Sequence, residues 1–225
     1  MWQTAPMGIR DDARADTMGR ILAAARAEIA REGGGGLSMR AVARDAGLVS
    51  SAVYRYFATR EALITAMIIE SYGRLADALE RTDGTWAGLA GALRAWALAH
   101  PHEFQLLYGT PIPGFVAPPE TIPAAARVAA PFLASGASTP VPGFDAPALV
   151  AQLAPMASQS GVDASGAAAV LAALAALVGL ISLELAGHFV GTADPADHLY
   201  AAVVARQQVM FASHDRPGSA EGHLA

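Results

Sequence analysis

Several side chains that could hydrogen-bond to a nucleic acid lie between residues 50 and 60. Ser50 and Ser51 are small and polar, so a backbone that carries them can come close to base edges. Tyr54, Tyr56 and Arg60 are long enough to donate hydrogen bonds to phosphate oxygens. Their types and spacing therefore predict a surface that contacts DNA, provided that helices hold these side chains on one face.

Two short helices are predicted to position these side chains. Ser38 is a suitable cap for a helix over 39–46, Gly47 stops that helix, and Ser50 begins another that carries Val53, Tyr54 and Phe57. The apolar residues between them, which would pack on a preceding helix, are Val42, Ala43, Ala46, Leu48 and Val53. This arrangement predicts a helix-turn-helix whose second short helix enters the major groove by its N-terminal end.

The run Ala-Gly-Leu-x-Ser-x-x-Val-Tyr-x-Tyr-Phe-x-x-Arg-Glu-x-Leu at residues 46–63 resembles the N-terminal domain of TetR/AcrR-type transcriptional regulators. The resemblance extends over residues 16–63. The region of Trp96, His100 and Gly109 also resembles the C-terminal domain type named for Trp, His and Gly. The resemblance implies a dimeric regulator that binds DNA, with an effector pocket in the C-terminal domain.

The resemblance also implies a role for each matching residue. Ser38 would cap its helix and touch a phosphate, and Arg40 would contact a guanine edge. One departure concerns Val49, because the family usually has serine or threonine there and valine cannot cap a helix. Capping by Ser50 instead would shift the register of the recognition helix. The implied base-reading residues are Ser50, Ser51 and Ala52, and the implied phosphate contacts are Tyr54, Tyr56 and Arg60.

Charge is distributed unevenly along the 225 residues, whose net charge is −5. Residues 1–60 hold nine arginines against six acidic residues, a net charge of +3, and the remainder carries −8. The chain lacks cysteine, and its 15 basic residues are all arginine. Thiolate metal sites, disulfides and lysine-dependent chemistry are therefore excluded, and a basic N-terminal unit on an acidic body is expected.

The periodicity predicts an all-α fold with no strand. We expect a flexible arm at 1–15, a helix-turn-helix domain at 16–62, an effector-binding and dimerisation domain at 63–213, and a disordered tail at 214–225. A long helix from residue 60 to about 83 would join the two domains. The later helices are expected near 86–99, 123–134, 146–160, 163–190 and 195–213. Pro101 should bend or end the helix at 86–99, which would resume through Glu103, Leu106, Leu107 and Tyr108 before a proline-rich loop at 110–123.

The body of the chain is predicted to hold a small-molecule pocket and the dimer interface. Large apolar and aromatic groups that could line the pocket are Trp86, Trp96, His100, Phe104, Tyr108, Phe115, Met156 and Phe189. The last two long helices carry apolar stripes and a face of small residues, which favours a four-helix bundle about a two-fold axis.

Two other classes of protein compete with this interpretation. A helical enzyme or small-molecule carrier would use His100, His102 and Glu103, although Pro101 divides them and no further metal ligands lie nearby in sequence. A membrane-associated protein would use the uncharged stretch 164–183. The favoured hypothesis is a cytoplasmic homodimeric repressor. It would bind a pseudo-palindromic double-stranded operator and an unknown effector, with no catalysis, metal, cofactor or membrane contact.

Overall fold

A computed structural model describes residues 7–212, with side chains from residue 11 onward. The described residues form ten α-helices, one short 3-10 turn and no strand, so the predicted all-α fold is confirmed. Residues 1–6 of the predicted arm and the predicted tail lie outside the described residues. The helices are α1 (Met7–Gly36), α2 (Met39–Asp45), α3 (Ser50–Tyr56), α4 (Arg60–Glu80), α5 (Trp86–Ala99), α6 (Pro101–Tyr108), α7 (Ile122–Gly136), α8 (Pro147–Ser160), α9 (Ala164–Leu185) and α10 (Asp197–Ala212).

The first helix differs from its prediction at both ends. It begins at Met7, so the expected arm at 1–15 is wrong for residues 7–15. That stretch lacks an apolar stripe, but it contains alanine and arginine, which favour helix, and no proline. At the other end the helix breaks at Gly33, whose φ of 71° and ψ of 170° are non-helical, before a last turn through Gly36. Positive φ at this position explains the need for glycine.

The described chain divides into two compact units. One contains the described part of residues 1–71 together with 102–122, and the other contains 72–101 and the described residues from 123 onward. The prediction placed a domain boundary at residue 62 and assigned the segment 102–122 to the second domain, whereas the structure groups this segment with the helix-turn-helix. Helix α4 runs from the first unit into the second.

In the first unit, α2 packs against both α1 and α3. Ile21, Val42, Val53, Leu63 and Ile64 are fully buried, which gives the three-helix domain its own small core. Ion pairs reinforce this packing. Arg31 of α1 bonds to Asp45 of α2 and to Glu28, and Arg26 of α1 bonds to Glu70 of α4. Arg26 and Arg31 therefore hold helices of the first unit together.

In the second unit, α10 packs against α5 and α9, and α8 packs against α9. Trp86 lies in the core against Phe132 and Phe211, with ring centroids 5.4 and 4.5 Å away. Its indole Nε1 donates to Oε1 of Gln207 at 2.9 Å, and the Gln207 Nε2 donates to the Ala173 carbonyl at 3.0 Å. One buried polar residue thus links α5, α9 and α10 with its hydrogen-bonding groups satisfied.

A charged network lies on the same three helices. Arg94 donates two hydrogen bonds to the Glu184 carboxylate, at 2.8 and 2.6 Å, and a third to Asp197 at 2.8 Å. The paired geometry matches the fork of the guanidinium to the plane of the carboxylate. The Arg94 guanidinium lowers the pKa of Asp197 below its usual value. The network fixes the order in which α5, α9 and α10 pack.

Helix α9 has two different faces. Its larger residues Val170, Leu177 and Ile181 are buried within the unit. The opposite face exposes small residues together with Leu171 and Leu183, which are 41% and 44% exposed. Ala164–Leu185 is also the one helix among residues 7–212 that is long and apolar enough to cross a membrane, a property that soluble core helices share.

Candidate nucleic-acid interface

The turn between α2 and α3 has the geometry of a helix-turn-helix. The backbone N–H of Gly47 donates to the Arg44 carbonyl at 3.0 Å, and that of Leu48 donates to the Ala43 carbonyl at 2.8 Å. Gly47 has φ of 68°, which a residue with a side chain rarely adopts. These bonds end α2 and direct the chain into α3 within a few residues.

Helix α2 presents the first two predicted site residues. Ser38 is the N-cap, and its Oγ accepts a hydrogen bond from the Ala41 N–H at 3.4 Å, so the predicted cap is confirmed. Arg40 lies two residues further along, in the first turn of α2, and is exposed. Met39 and Val42, on the other face, are buried. The amphipathic pattern of α2 therefore leaves Arg40 available to a partner.

Helix α3 begins at Ser50, with Val49 as its N-cap residue and no side-chain capping bond. The register is therefore the one that the family motif implies, and the shift that capping by Ser50 would have caused does not occur. Ser51 is exposed and Ser50 is half-buried. Ala52 is 7% exposed and packs inside the unit, so its predicted place among the base-reading side chains is wrong.

The two tyrosines of α3 differ in their surroundings. Tyr54 is 48% exposed. Tyr56 is half-buried, and the guanidinium of Arg14 lies over its ring at 5.2 Å from the centroid. Arg14 lies in the segment that was predicted to be a flexible arm, so its place beside α3 was not expected. The interaction brings a positive charge close to the second tyrosine.

Arg60 is held by the protein itself. Its Nε donates to the Leu37 carbonyl at 3.0 Å, and its Nη2 donates to the carbonyls of Gly34 and Gly35 at 2.8 and 3.0 Å. The side chain thereby satisfies carbonyl groups at the end of α1, directly before the Ser38 cap. The geometry makes Arg60 a positioning residue, and its predicted contact with phosphate stays a prediction.

The segment 102–122 also contacts the glycines at the end of α1 (residues 33–36), which we call the glycine junction. A Cβ atom added to Gly34 would lie 2.8 Å from Cδ1 of Ile112, so the side chain of Ile112 covers the glycine backbone closely. Because α5 precedes this segment and α7 follows it, both of its ends continue into the second unit. The glycine junction is thus held by Arg60 and covered by Ile112.

Most arginines of the first unit have protein partners. Arg20 bonds to the Ala46 carbonyl, and Arg44 pairs with Asp45 at 3.3 Å. On α2 and α3, Arg40 and Arg55 are exposed and have no hydrogen-bond or ion-pair partner among the described residues, and the exposed Arg14 of α1 has only its contact with the Tyr56 ring. Arg55 was not among the residues predicted to contact DNA. Its position one residue after Tyr54 was the signal that could have promoted it.

The eight residues predicted to line an effector pocket are divided between the two units. Phe104, Tyr108 and Phe115 belong to the first unit, and the other five belong to the second. A cavity of about 510 Å³ in the second unit is lined by none of them. Its walls come from α9, α10 and the loop before α8, and the lining residues are Phe144, Ala169, Ala172, Ala173, Val203, Arg206, Gln207, Val209 and Met210. The predicted pocket therefore stays a prediction.

The residues that suggested an enzyme or carrier have ordinary structural surroundings. His100 is the C-cap of α5, and its ring lies 5.3 Å from that of Trp96. Burial lowers the pKa of His100, and the nearby Arg74 lowers it further. Glu103 accepts a hydrogen bond from the buried Ser71 at 2.9 Å. Within the part of the chain that the structure describes, no group of three or more metal-binding side chains occurs.

The fold and this site define a helix-turn-helix protein with a helical C-terminal domain, and comparison with known families agrees. Residues 21–67 match the family described as bacterial regulatory proteins, tetR family. Residues 86–207 match the family described as tetracycline repressor-like, C-terminal domain. The chain belongs to the TetR family of transcriptional regulators, and its N-terminal part is a DNA-binding domain.

Individual relatives support this assignment. HTH-type transcriptional regulators of Mycobacterium bovis and Mycobacterium tuberculosis are 41% identical to this chain over 152 residues. The match covers 62% of this chain and 65% of each regulator. The match thus spans less than two thirds of these relatives. The crystal structure of the protein SCO4313 has a TM-score of 0.77 and 32% identity, and covers 90% of this chain and 98% of its own. A Rhodococcus sp. RHA1 protein of unknown function has a TM-score of 0.59 and 26% identity, with 89% and 96% covered.

Proposed function

We propose that this chain is a homodimeric, sequence-specific DNA-binding repressor that a small-molecule effector releases from its operator. The observation that carries the proposal is the exposed face of α2 and α3. Arg40, Ser51 and Tyr54 remain exposed on the two helices that a helix-turn-helix presents to DNA. A regulator of this kind acts on chromosomal DNA, and we place it in the bacterial cytoplasm.

Dimerisation is supported by the exposed face of α9. Ala172, Ala175 and Gly179 lie on the side away from the core, between the exposed Leu171 and Leu183. Small side chains allow two helices to approach closely, and the leucines at either end would be covered by a partner. A two-fold dimer pairs this surface with itself. Two recognition helices would then read a pseudo-palindromic site whose half-sites are about 10 base pairs apart, or a multiple of that.

Effector release is supported by the path of the chain. Segment 102–122 packs on the glycine junction through Ile112, and it continues at both ends into helices of the second unit. An effector that binds the DNA-incompetent state more tightly would shift the population toward that state. The junction next to Ser38 is a point where such a shift could alter α2.

Selection of bound DNA tests the proposal. Fragments of the native genome are incubated with the purified chain at about 0.15 M salt, and bound fragments are footprinted. We expect two protected half-sites related by two-fold symmetry, and light scattering of the free protein should give the mass of a dimer. Failure to enrich any fragment, or protection of one half-site by a monomer, would contradict the proposal.

A further inference from the structure

Val49 is exposed at the beginning of the recognition helix. It occupies the N-cap position of α3 with φ of −75° and ψ of 148°, and its side chain is 70% exposed. Across residues 38–63, Val49 and Tyr54 are the exposed large hydrophobic residues. Tyr54 has a hydroxyl group that can bond to water or phosphate, whereas Val49 has only its two methyl groups.

Valine at this position does not stabilise the free protein in either of the usual ways. It makes no capping hydrogen bond, although Ser, Thr, Asp and Asn are strongly preferred at an N-cap for that reason. Its exposure also shows that it contributes little to the core. A residue that violates the local rule with no compensation in the fold is typical of a functional surface.

The chemistry of the major groove identifies what such a side chain can recognise. The base edges there carry hydrogen-bond donors and acceptors and one apolar group, the C5-methyl of thymine. Val49 directly precedes Ser50 and Ser51, at the end of α3 that a helix-turn-helix directs toward the bases. We infer that Val49 is a specificity-determining residue that packs against a thymine methyl in each half-site. This inference rests on the proposed DNA-binding function.

This contact is tested by removing the thymine methyl from the DNA and, separately, the two valine methyls from the protein. Each thymine of the selected operator is replaced by deoxyuridine, symmetrically in both half-sites, and Kd is measured for the wild type and for Val49→Ala. At one thymine position, loss of the methyl should weaken wild-type binding about threefold to fivefold per half-site, the factor expected for burying one methyl group. Val49→Ala should be insensitive at that position, and both proteins should respond equally at the other thymines.

Two further variants control for folding and for loss of apolar surface. Val116→Ala removes a valine that is 88% exposed in the same unit but belongs to the loop before α7 and not to α2 or α3, and it should leave Kd unchanged. Val49→Thr provides a capping hydroxyl and keeps one methyl, so it should fold at least as stably and keep partial sensitivity to deoxyuridine.

The outcomes separate this inference from the proposed function. If the wild type binds its operator specifically, and no thymine position distinguishes wild type from Val49→Ala by more than about 1.5-fold, the Val49 contact is wrong and the regulator assignment stands. If the wild type binds no operator specifically, the proposed function and the inference that rests on it both fail.

Discussion

The exposed polar side chains of α2 and α3 contrast with the paired polar side chains that link α5, α9 and α10 in the second unit. In the first unit, Arg40, Ser51 and Tyr54 are exposed on α2 and α3. In the second, Gln207 and Arg94 bond to protein partners on neighbouring helices. These two sets of side chains should therefore respond differently to substitution. Loss of the outward residues should weaken DNA binding and leave the fold intact, whereas loss of the inward residues should destabilise the fold.

Arg40→Ala should give the largest effect on binding. An arginine that contacts a guanine edge contributes about 1–3 kcal/mol per site, so its loss from both halves of a dimer should weaken specific binding about thirtyfold or more. The melting temperature should stay within about a degree, since Arg40 has no partner among the described residues. Arg44→Ala is the matched control, because it removes the same charge from the same helix. Equal losses for both variants would contradict a specific role for Arg40.

Gln207→Ala should give the largest effect on stability. It leaves the buried indole N–H of Trp86 without its acceptor and creates a small void between α9 and α10. We expect the free energy of unfolding, measured with urea, to fall by about 2–3 kcal/mol. Gln208→Ala, at the exposed neighbouring position, should cost less than about 0.5 kcal/mol. The operator affinity of Gln207→Ala at low temperature should match that of the wild type. A large loss of affinity would contradict the separate roles of the two sets of side chains.

Arg60→Lys tests whether Arg60 positions the glycine junction or contacts phosphate. Lysine keeps the charge but lacks the fork that bonds three carbonyl groups, so we expect a loss of about 1–2 kcal/mol in unfolding free energy. Arg55→Lys, at an exposed position without a partner among the described side chains, should have no such effect. A fully stable Arg60→Lys protein would argue that the side chain acts mainly on DNA.

Asp163→Ala should give the smallest effect, about 1 kcal/mol at pH 7, because it removes the N-cap of α9. The Asp163 carboxylate accepts from the backbone N–H groups of Ser165 and Gly166, each at 2.9 Å. The measurement is thermal or urea unfolding of both proteins. A cost above about 2 kcal/mol would show that Asp163 does more than cap its helix.

The pH dependence of this cap has a defined sign. The Gly166 N–H lowers the pKa of Asp163 below its usual value, with a further contribution from the Ser165 hydroxyl. The stabilisation is therefore present above the ordinary pKa of aspartate and disappears as the pH falls through the lowered folded-state pKa. Asp163→Asn keeps a capping oxygen without titrating, so wild type should lose stability relative to it below about pH 4.

The sequence predicted local features of the molecule well. The glycine turn, the Ser38 cap and the start of α3 depend on residues within a few positions of one another, and all agree with the structure. The boundaries of α5 were also predicted, since Thr85 caps it and Pro101 begins the next helix. Helices with local start and stop signals need no tertiary information.

The features that the sequence did not reveal depend on distant residues. Ala52 is small and lies on the recognition helix, and only packing shows that it faces inward. Arg60 matches a phosphate-binding position, but its partners are carbonyls more than 20 residues away. The eight pocket candidates were chosen by size and polarity, and no local signal reveals that the segment 102–122 groups with the first unit.

The salt dependence of operator binding measures how many cations of each dimer meet the DNA, and we expect only a few local contacts from α2 and α3. If Arg40 and Arg55 are the cations of each protomer that meet phosphates or bases, about two to four charges per dimer are neutralised. The plot of log binding constant against log salt should then have a slope of about −2 to −4. A slope steeper than about −7 would mean that the internally paired arginines also contact DNA. Absence of specific binding at any salt concentration would contradict the account altogether.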